Sequence, residues 1–470
     1  REVASVTIGG TGAAEISAYC EKTKRLFVVN NAAGINRIEV LNLANPEAPV
    51  VSGNIGLAAY NGAANSVAVY DGKLAVALES TNKTQPGRVV LFNTENFSEI
   101  RNITVGALPD MVTYSPDGRF LITANEGEPS SDYLIDPEGS VSIIDVSNNY
   151  SVTNVSFAAF NTQLNTLAAQ GLRSFGPSAG DLGKDAEPEY ITVSADSRTA
   201  WVTLQENNAI ARIDLVAKTV SNLWPLGFKD YNTDAHAIDP SDQDGGINFG
   251  RWNVRGIYQP DAIAVLEKNA VPYLFTANEG DQREYTAYNE VRRVGNSAYL
   301  LDPASYGNAG VLKTNAVLGR LNATIASGNT DGDAEFEQIV SFGARSFSVW
   351  NGSTGKLEFD SGNDLDKRAQ TAGLYDDGRS DDKGSEPEAV ATGKVGNTDV
   401  LFVGLERADA VVVYDVTNPV MPRFLQFLRS GDAPEGIIYI PARKAPTGRS
   451  LMIVSSEGDG SVKIYMPNRL

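Results

Sequence analysis

The chain writes the same hairpin seven times. Its clearest copy, PDMVTYSPDGRFLITANEG from Pro109 to Gly127, opens on a proline–acid pair and runs as an apolar strand. It turns at Pro116-Asp117-Gly118 and returns as a second apolar strand ending in Asn125-Glu126-Gly127. Proline presets φ at one corner of such a turn, and glycine accepts the positive φ that closes it. Further copies begin at Pro188, Pro260, Pro387 and Pro434, and two without the proline begin at Ala14 and Ala64. A third strand follows each hairpin: Ile35–Leu43, Arg88–Asn93, Gly139–Val146, Ala209–Leu215, Ala410–Val416 and Gly460–Tyr465. In the fifth unit that strand is Asn296–Leu301 or Ala344–Trp350.

Three or four antiparallel strands repeated along a whole chain predict an all-β fold, a seven-bladed β-propeller, because one unit cannot bury both faces of its sheet. Val3–Ile8 precedes the first hairpin, and the last unit stops at its third strand near Tyr465. The N-terminal strand is therefore expected to close the last blade and leave no open edge. Rings of six or eight blades, or a sandwich, are the competing arrangements. Residues 1–470 read as one propeller domain with capping insertions at 157–187, 227–259, 281–338 and 359–386.

Strand parity turns this spacing into geometry. The first strand of a blade starts on one face of the disc, and the antiparallel second strand ends on that same face. The starts carry Glu15, Asn65, Asp110, Glu189, Asp261, Glu388 and Glu435; the ends carry Asn30, Glu79, Glu126, Glu206, Glu279, Glu406 and Glu457. Twelve carboxylates are thus expected around one mouth of the central channel. At ~6 Å and an effective dielectric of ~20, each neighbouring pair costs about 3 kcal/mol. Bound cations, interleaved Arg and Lys, backbone amides of the next blade or raised pKa values must offset that cost. Arg283, Arg345, Lys383 and Arg407 stand nearby in the sequence and are candidates for holding an anion. In the alternative, the acids are a blade-to-blade clamp that caps N–H groups of the neighbouring loops.

The same parity puts the long insertions on the acidic face, and loops on a rigid scaffold commonly carry binding sites. Three of them supply oxygen ligands at close spacing: Asp239, Asp242 and Asp244; Asp331, Asp333 and Glu335, with Glu337 following; and Asp376, Asp377, Asp381 and Asp382. Hard cations such as Ca²⁺ take six to eight oxygens, so Ca²⁺ is the expected cofactor, although none of the loops has the EF-hand spacing. The competing reading of each is a solvated acidic turn.

The formal net charge of −19 disfavours nucleic acid and anionic membrane as partners. It favours divalent cations, or solubility in a salty medium. The single cysteine, Cys20, excludes a disulfide framework and reads as an apolar filler in a strand. No apolar run reaches transmembrane length, and the sequence begins at Arg1, as a processed or truncated product would. Asn-x-Ser/Thr sequons stand at Asn82, Asn96, Asn102, Asn149, Asn154, Asn322 and Asn351. Of these, Asn96, Asn102, Asn149 and Asn154 fall in or after outer strands, where a glycan would face solvent. Catalytic residue types are scarce. His236 is the only histidine, zinc would be short of nitrogen and sulfur ligands, and there is no P-loop glycine pattern.

The stretches Ala124-Asn-Glu-Gly-Glu-Pro-Ser-Ser-Asp132, Thr203-Leu-Gln-Glu-Asn-Asn208, Thr276-Ala-Asn-Glu-Gly-Asp281, Gly343-Ala-Arg-Ser-Phe-Ser348 and Ser380-Asp-Asp-Lys-Gly-Ser-Glu-Pro-Glu388 occur together with Gly404-Leu-Glu-Arg407 and Tyr414-Asp-Val-Thr-Asn-Pro419. In this set the chain resembles the choice-of-anchor I domain family over nearly its whole length. The family includes bacterial surface proteins and the mesenchyme-specific cell-surface glycoproteins of biomineralising animals. The resemblance implies a secreted or surface-attached propeller. Some relatives are labelled alkaline phosphatase and others are associated with calcium mineral.

Two readings follow. The preferred one is an extracellular, non-catalytic propeller that binds Ca²⁺ on its acidic face within a surface, matrix or appendage assembly, with other surface or matrix proteins or itself as partners. The other is a calcium-dependent phosphoesterase of alkaline phosphatase or phytase type, using the acidic channel mouth. A third arrangement, pure protein contact with the acids as a clamp, would be indifferent to chelators.

Overall fold

A computed structural model describes residues 1–468. Each hairpin copy forms the inner half of a four-stranded antiparallel sheet. In chain order, sheets one to seven start at the strands Ala13–Cys20, Ala64–Tyr70, Pro109–Tyr114, Pro188–Val193, Ile263–Lys268, Pro387–Val395 and Pro434–Ile440. The N-terminal strand Glu2–Thr7 pairs antiparallel with Ser461–Tyr465 and is the outer strand of sheet seven.

The sheets stand side by side around an axis. The first strand of each touches the first strand of the next, and sheet seven returns to sheet one. An apolar cluster fills every gap. Val76 and Phe27 share one between sheets one and two, Val89 and Ile144 between two and three, and Ile143 and Val202 between three and four. Trp201 and Leu274 meet between four and five, Val349 and Leu401 between five and six, Phe402 and Val454 between six and seven, and Ile464 and Leu26 between seven and one. A strand buried on both faces needs a continuous apolar run, as in Leu74–Leu78, where every residue is buried. Each buried Val or Leu contributes roughly 1.5–3 kcal/mol.

The turn of the clearest hairpin is built as its sequence requires: Gly118 has φ +71°, and a Cβ there would collide with the Tyr70 ring. Leu108, Glu386 and Ala433, each just before a hairpin proline, also have φ near +50°. Non-glycine residues hold that left-handed corner only where their surroundings impose it.

The repeated Thr-Ala-Asn element ties second strands to third strands. Asn125 donates to the hydroxyls of Ser140 and Ser142 at 3.2 and 2.9 Å, and Asn278 donates to Ser346 and Ser348 at 3.2 and 2.7 Å. These networks are buried, so each hydrogen bond made removes a desolvation penalty. In the fifth unit the third strand is Ser346–Asn351, paired with Val271–Asn278. Leu300–Leu301, from the other candidate stretch, lies instead in an insertion, parallel to Glu335–Phe336.

The insertion between the second and third strands of sheet five joins the one before sheet five. Phe228–Asp230 pairs with Val254–Ile257, which pairs in parallel with Ile339–Ser341. Together they enclose a small core that includes Tyr231, Val254, Leu318 and a stacked Tyr299–Phe336 pair. The insertion before sheet four contains the helix Leu164–Ala169, and the insertion before sheet six contains the helix Asp364–Ala372. No helix of the described residues is long and apolar enough to cross a membrane.

Candidate functional site

The first strands bring Glu15, Asp110, Asp261 and Glu435 together with Glu457 around a cavity of about 180 Å³ on the axis. The channel acids are thus convergent, but their register departs from the expected one at two places. Asn30 is inside sheet one, donating to Glu39 at 3.1 Å, and Asn31 takes the rim position. Because Pro188 faces Leu204, the rim residue of sheet four is Gln205, and Glu206 is one step beyond it.

Both amides clamp neighbouring sheets. Asn31 donates to the Ala64 carbonyl at 2.6 Å and to Glu15 at 3.1 Å, and Gln205 donates to Glu279 at 3.1 Å. Asn65 reaches the Pro109 carbonyl at 3.3 Å. Among the described residues, no neighbouring backbone N–H donates to a carboxylate of the ring. The sheet-to-sheet clamp is made by amide side chains, two of which also donate to the ring acids Glu15 and Glu279.

Those partners are unevenly shared. On sheets five and six, oxygens of Glu279, Glu388 and Glu406 lie within 4.8 Å of one another. There Lys383 bonds Glu279 and lies 3.3 Å from Glu386, and Arg407 pairs with Glu406 at 3.0 Å. Glu386 is held below the usual carboxylate range despite its burial, because Lys383, Arg379 and Arg407 surround it. On sheets three and four, oxygens of Asp110, Glu126 and Glu189 also lie within 4.8 Å of one another. Among the described residues no hydrogen bond or ion pair reaches the carboxyl groups of these three. Lys83, whose charge acts on Glu126, is paired with Glu128.

The electrostatic consequence is direct. Burial, then the charge of Glu79, pushes Asp110 up to about 7. Burial, then Asp110 and Glu206, raises Glu126 well above its ordinary value; burial, then Glu126 and Asp110, does the same to Glu189. Glu15 and Asp261 rise to about 8, chiefly through burial. Basic side chains pair with the ring only at Glu279 and Glu406.

The remaining candidates fall into place around it. Arg283 and Arg345 are buried. Arg283 is bonded to Asp185 and Glu187, and Arg345 to the carbonyls of Asp239, Ser380 and Asp382. Arg283 and Arg173 both lie over the Phe175 ring, at 4.4 and 4.1 Å, and Arg173 is paired with Glu290. Glu206 sits in this cluster with its backbone carbonyl on Arg173 and its Oε2 buried without a hydrogen-bond partner. Arg407 is the most exposed of the four anion-binding candidates. None of the four is free of acidic or carbonyl partners.

The three acidic loops do not form one centre. Arg320 joins Asp242 to Asp381, which Arg293 also holds, and Asp382 pairs with Arg379. Asp239 accepts the N–H groups of Ser241 and Asn248, and Asp376 accepts that of Gly378. Asp244 and Asp377 are negative neighbours of Asp239. In the loop at 331–337, Asp331 and Asp333 group with Glu337, outside which Glu335 falls. Glu337 is also tied to the N–H and hydroxyl of Thr330. His236 contacts the Asp230 carbonyl at 2.9 Å, and Cys20 is buried against Thr94.

The donor set at Asp110, Glu126 and Glu189 suits a hard cation. Three carboxylates offer up to six oxygens, the number at which Ca²⁺ coordination begins. Of the sequons, Asn82, Asn96, Asn102, Asn149 and Asn154 are exposed, while Asn322 and Asn351 are half-buried.

The profile of the choice-of-anchor I domain matches residues 15–419. Gigasin-3a of Magallana gigas is 26% identical over 188 residues, covering 33% of this chain and 66% of that protein. A mesenchyme-specific cell surface glycoprotein of Strongylocentrotus purpuratus is 26% identical over 354 residues, covering 64% of this chain and 45% of that protein. The chain spans about two thirds or less of these curated relatives. Among solved structures, a chain of Kuenenia stuttgartiensis hydrazine synthase superposes with a TM-score of 0.52 at 11% identity, covering 98% of this chain and 97% of that one. A chain of the mitotic checkpoint complex gives 0.52 at 8%, covering 100% and 92%. At such identities the likeness shows the fold alone.

Proposed function

The chain belongs to the choice-of-anchor I domain family, and from that premise we propose that it is the seven-bladed propeller of a secreted or cell-surface protein whose acidic channel mouth binds Ca²⁺. Likeness to a cell-surface glycoprotein supports the location. The observation that carries the cation is the contrast across the ring. Glu279, Glu388 and Glu406 have Lys383 and Arg407 beside them, whereas Asp110, Glu126 and Glu189 converge without a donor. In this reading Asp110, Glu126 and Glu189 hold the ion. The ion joins sheets three and four and supports a role in a surface or matrix assembly rather than in turnover.

Thermal unfolding before and after exhaustive chelation, with Ca²⁺ then restored, tests this. A ligand at 100 times its Kd adds about 2.7 kcal/mol, a shift of a few degrees for a domain of this size. A melt that falls on chelation and recovers with Ca²⁺ supports the reading. A melt indifferent to both overturns it.

A further inference from the structure

The apolar cluster between sheets six and seven leaves a cavity of about 760 Å³ beside it, within the roughly 300–1,000 Å³ typical of ligand sites. Phe402, Val413 and Leu428 of sheet six and Tyr439, Met452 and Tyr465 of sheet seven line it. The hairpin turn Val395–Thr398 also contributes, so the cavity lies at the end of the sheets away from the acidic mouth. Its walls are held in place. Phe402 and Tyr439 stack with centroids 6.1 Å apart, and the Tyr439 ring lies against Gly393, where a Cβ would come within 2.7 Å of it. The Tyr439 hydroxyl donates to the Lys394 carbonyl and the Tyr465 hydroxyl to the Arg429 carbonyl. Neither phenol proton is left for a ligand.

Charge recognition falls to two arginines. Arg1 and Arg449 both line the cavity and meet at one turn: the Met466 N–H donates to the Arg1 carbonyl at 2.9 Å, and Arg449 donates to the Pro467 carbonyl. Among the described residues neither guanidinium pairs with a carboxylate. Asp415, the one acid of the lining, is already held by Arg423 at 2.5 Å and by the Thr417 N–H at 2.9 Å. In a chain of net charge −19, this cavity is a local excess of positive charge. Apolar surface also runs out of it along the outer strand of sheet six. Leu425, part of the lining, is 50% exposed, and nearby Phe424 and Met421 are 39% and 66% exposed. No sequon follows Asn351, so an N-linked glycan has no acceptor on sheets six and seven.

We propose that this cavity binds a free alkyl carboxylate, its chain along Phe402, Leu425 and Leu428 and its carboxylate on Arg449 and Arg1. A guanidinium offers a planar fork of donors that matches a carboxylate, and the charge-assisted bonds are stronger than neutral ones. The apolar walls supply the hydrophobic term for the chain, while an alkylammonium would meet two cations and no unpaired acid. The site is remote from the three carboxylates assigned to Ca²⁺ and does not depend on that ion.

The test is calorimetric titration of the chelated protein with octanoate, hexanoate, n-octanol and n-octylamine. Chelator prevents calcium soaps and makes the result independent of the calcium reading. Octanoate is expected to bind saturably and at least about tenfold more tightly than hexanoate, since each buried methylene is worth roughly fourfold. It should also exceed octanol and octylamine by at least about tenfold. Arg1→Gln combined with Arg449→Gln should lower octanoate to the level of octanol while octanol binding stays. Leu425→Glu, at an exposed position and with both arginines kept, should weaken octanoate at least about tenfold. Each variant is first checked for an unchanged far-UV circular dichroism spectrum and melting temperature. No octanoate binding, equal binding of octanoate and octanol, or binding that both variants leave unchanged overturns the proposal.

Discussion

Lys383 is bonded to Glu279, a carboxylate of the channel ring, and the same ammonium reaches the Gly280 carbonyl at 2.6 Å. The lysine comes from the insertion before sheet six and the glutamate from the end of the second strand of sheet five. One side chain thus closes a loop onto the ring and neutralises part of it. Lys383→Met leaves Glu279 and Glu386 without that charge and should cost about 3–5 kcal/mol, the range for breaking one half of a buried pair. Adding Glu279→Gln should return part of the loss. Chemical denaturation measures both variants. A single variant within roughly 1 kcal/mol of the parent would remove the lysine from this role.

The ring makes stability depend on pH in a definite direction. Glu15 is held at about 8 against an ordinary 4.5, and Asp261 at about 8 against 3.8. A carboxyl whose folded pKa is raised favours the fold when protonated. That contribution is complete below the ordinary value and is lost as pH rises through the folded one. Chelated protein should therefore melt at progressively lower temperature between about pH 4.5 and 8, and Ca²⁺ should flatten the upper part of the curve. A melting temperature that climbs through this window would contradict the ring's assigned electrostatics.

Glu189→Gln removes one of the three carboxylates that lack a donor. Metal-free variant protein should be as stable as the parent or more so, because repulsion of about 3 kcal/mol per close pair is relieved. Its gain on adding Ca²⁺ should shrink. Paired melts with and without the ion decide this. A variant that is less stable without metal, and gains as much as the parent with it, would place the ion elsewhere.

The sequons should separate by exposure in a glycosylating secretory host. Asn96, Asn102, Asn149 and Asn154 lie exposed on the outer edges of sheets two and three, whereas the Asn322 amide donates to Asp382 at 3.3 Å. Glycopeptide mass spectrometry is expected to find occupancy on the four and none on Asn322. The reverse pattern would mean that this face is covered in the secreted protein.

The inner strands could be read directly because they are buried on both faces. Leu74–Leu78 has no polar residue to confuse its period, and Pro-acid and Asn-Glu-Gly mark its counterparts elsewhere. Outer strands gave no such signal: Ser151–Ser156 buries only Val155, and Arg423–Arg429 buries nothing fully. The acid ring was legible because strand parity is a period of two, and it slipped where the count of residues around a turn differed, at Asn31 and Gln205. The loop candidates were ambiguous for a different reason. Asp242, Asp381 and Asp382 have the composition of calcium ligands, but Arg320, Arg293 and Arg379 arrive from distant or adjacent sequence to pair with them. Composition cannot show which acids an arginine reaches, and that distinction separates Asp110, Glu126 and Glu189 from the rest.

The most direct measurement is calorimetric titration of Ca²⁺ into chelated protein, run in parallel on Glu126→Gln. The account predicts a saturable heat with about one ion per chain, and an affinity lowered at least tenfold, about 1.4 kcal/mol, in the variant. Binding that is absent in the parent, or unchanged in Glu126→Gln, would contradict the assignment of the ion to Asp110, Glu126 and Glu189.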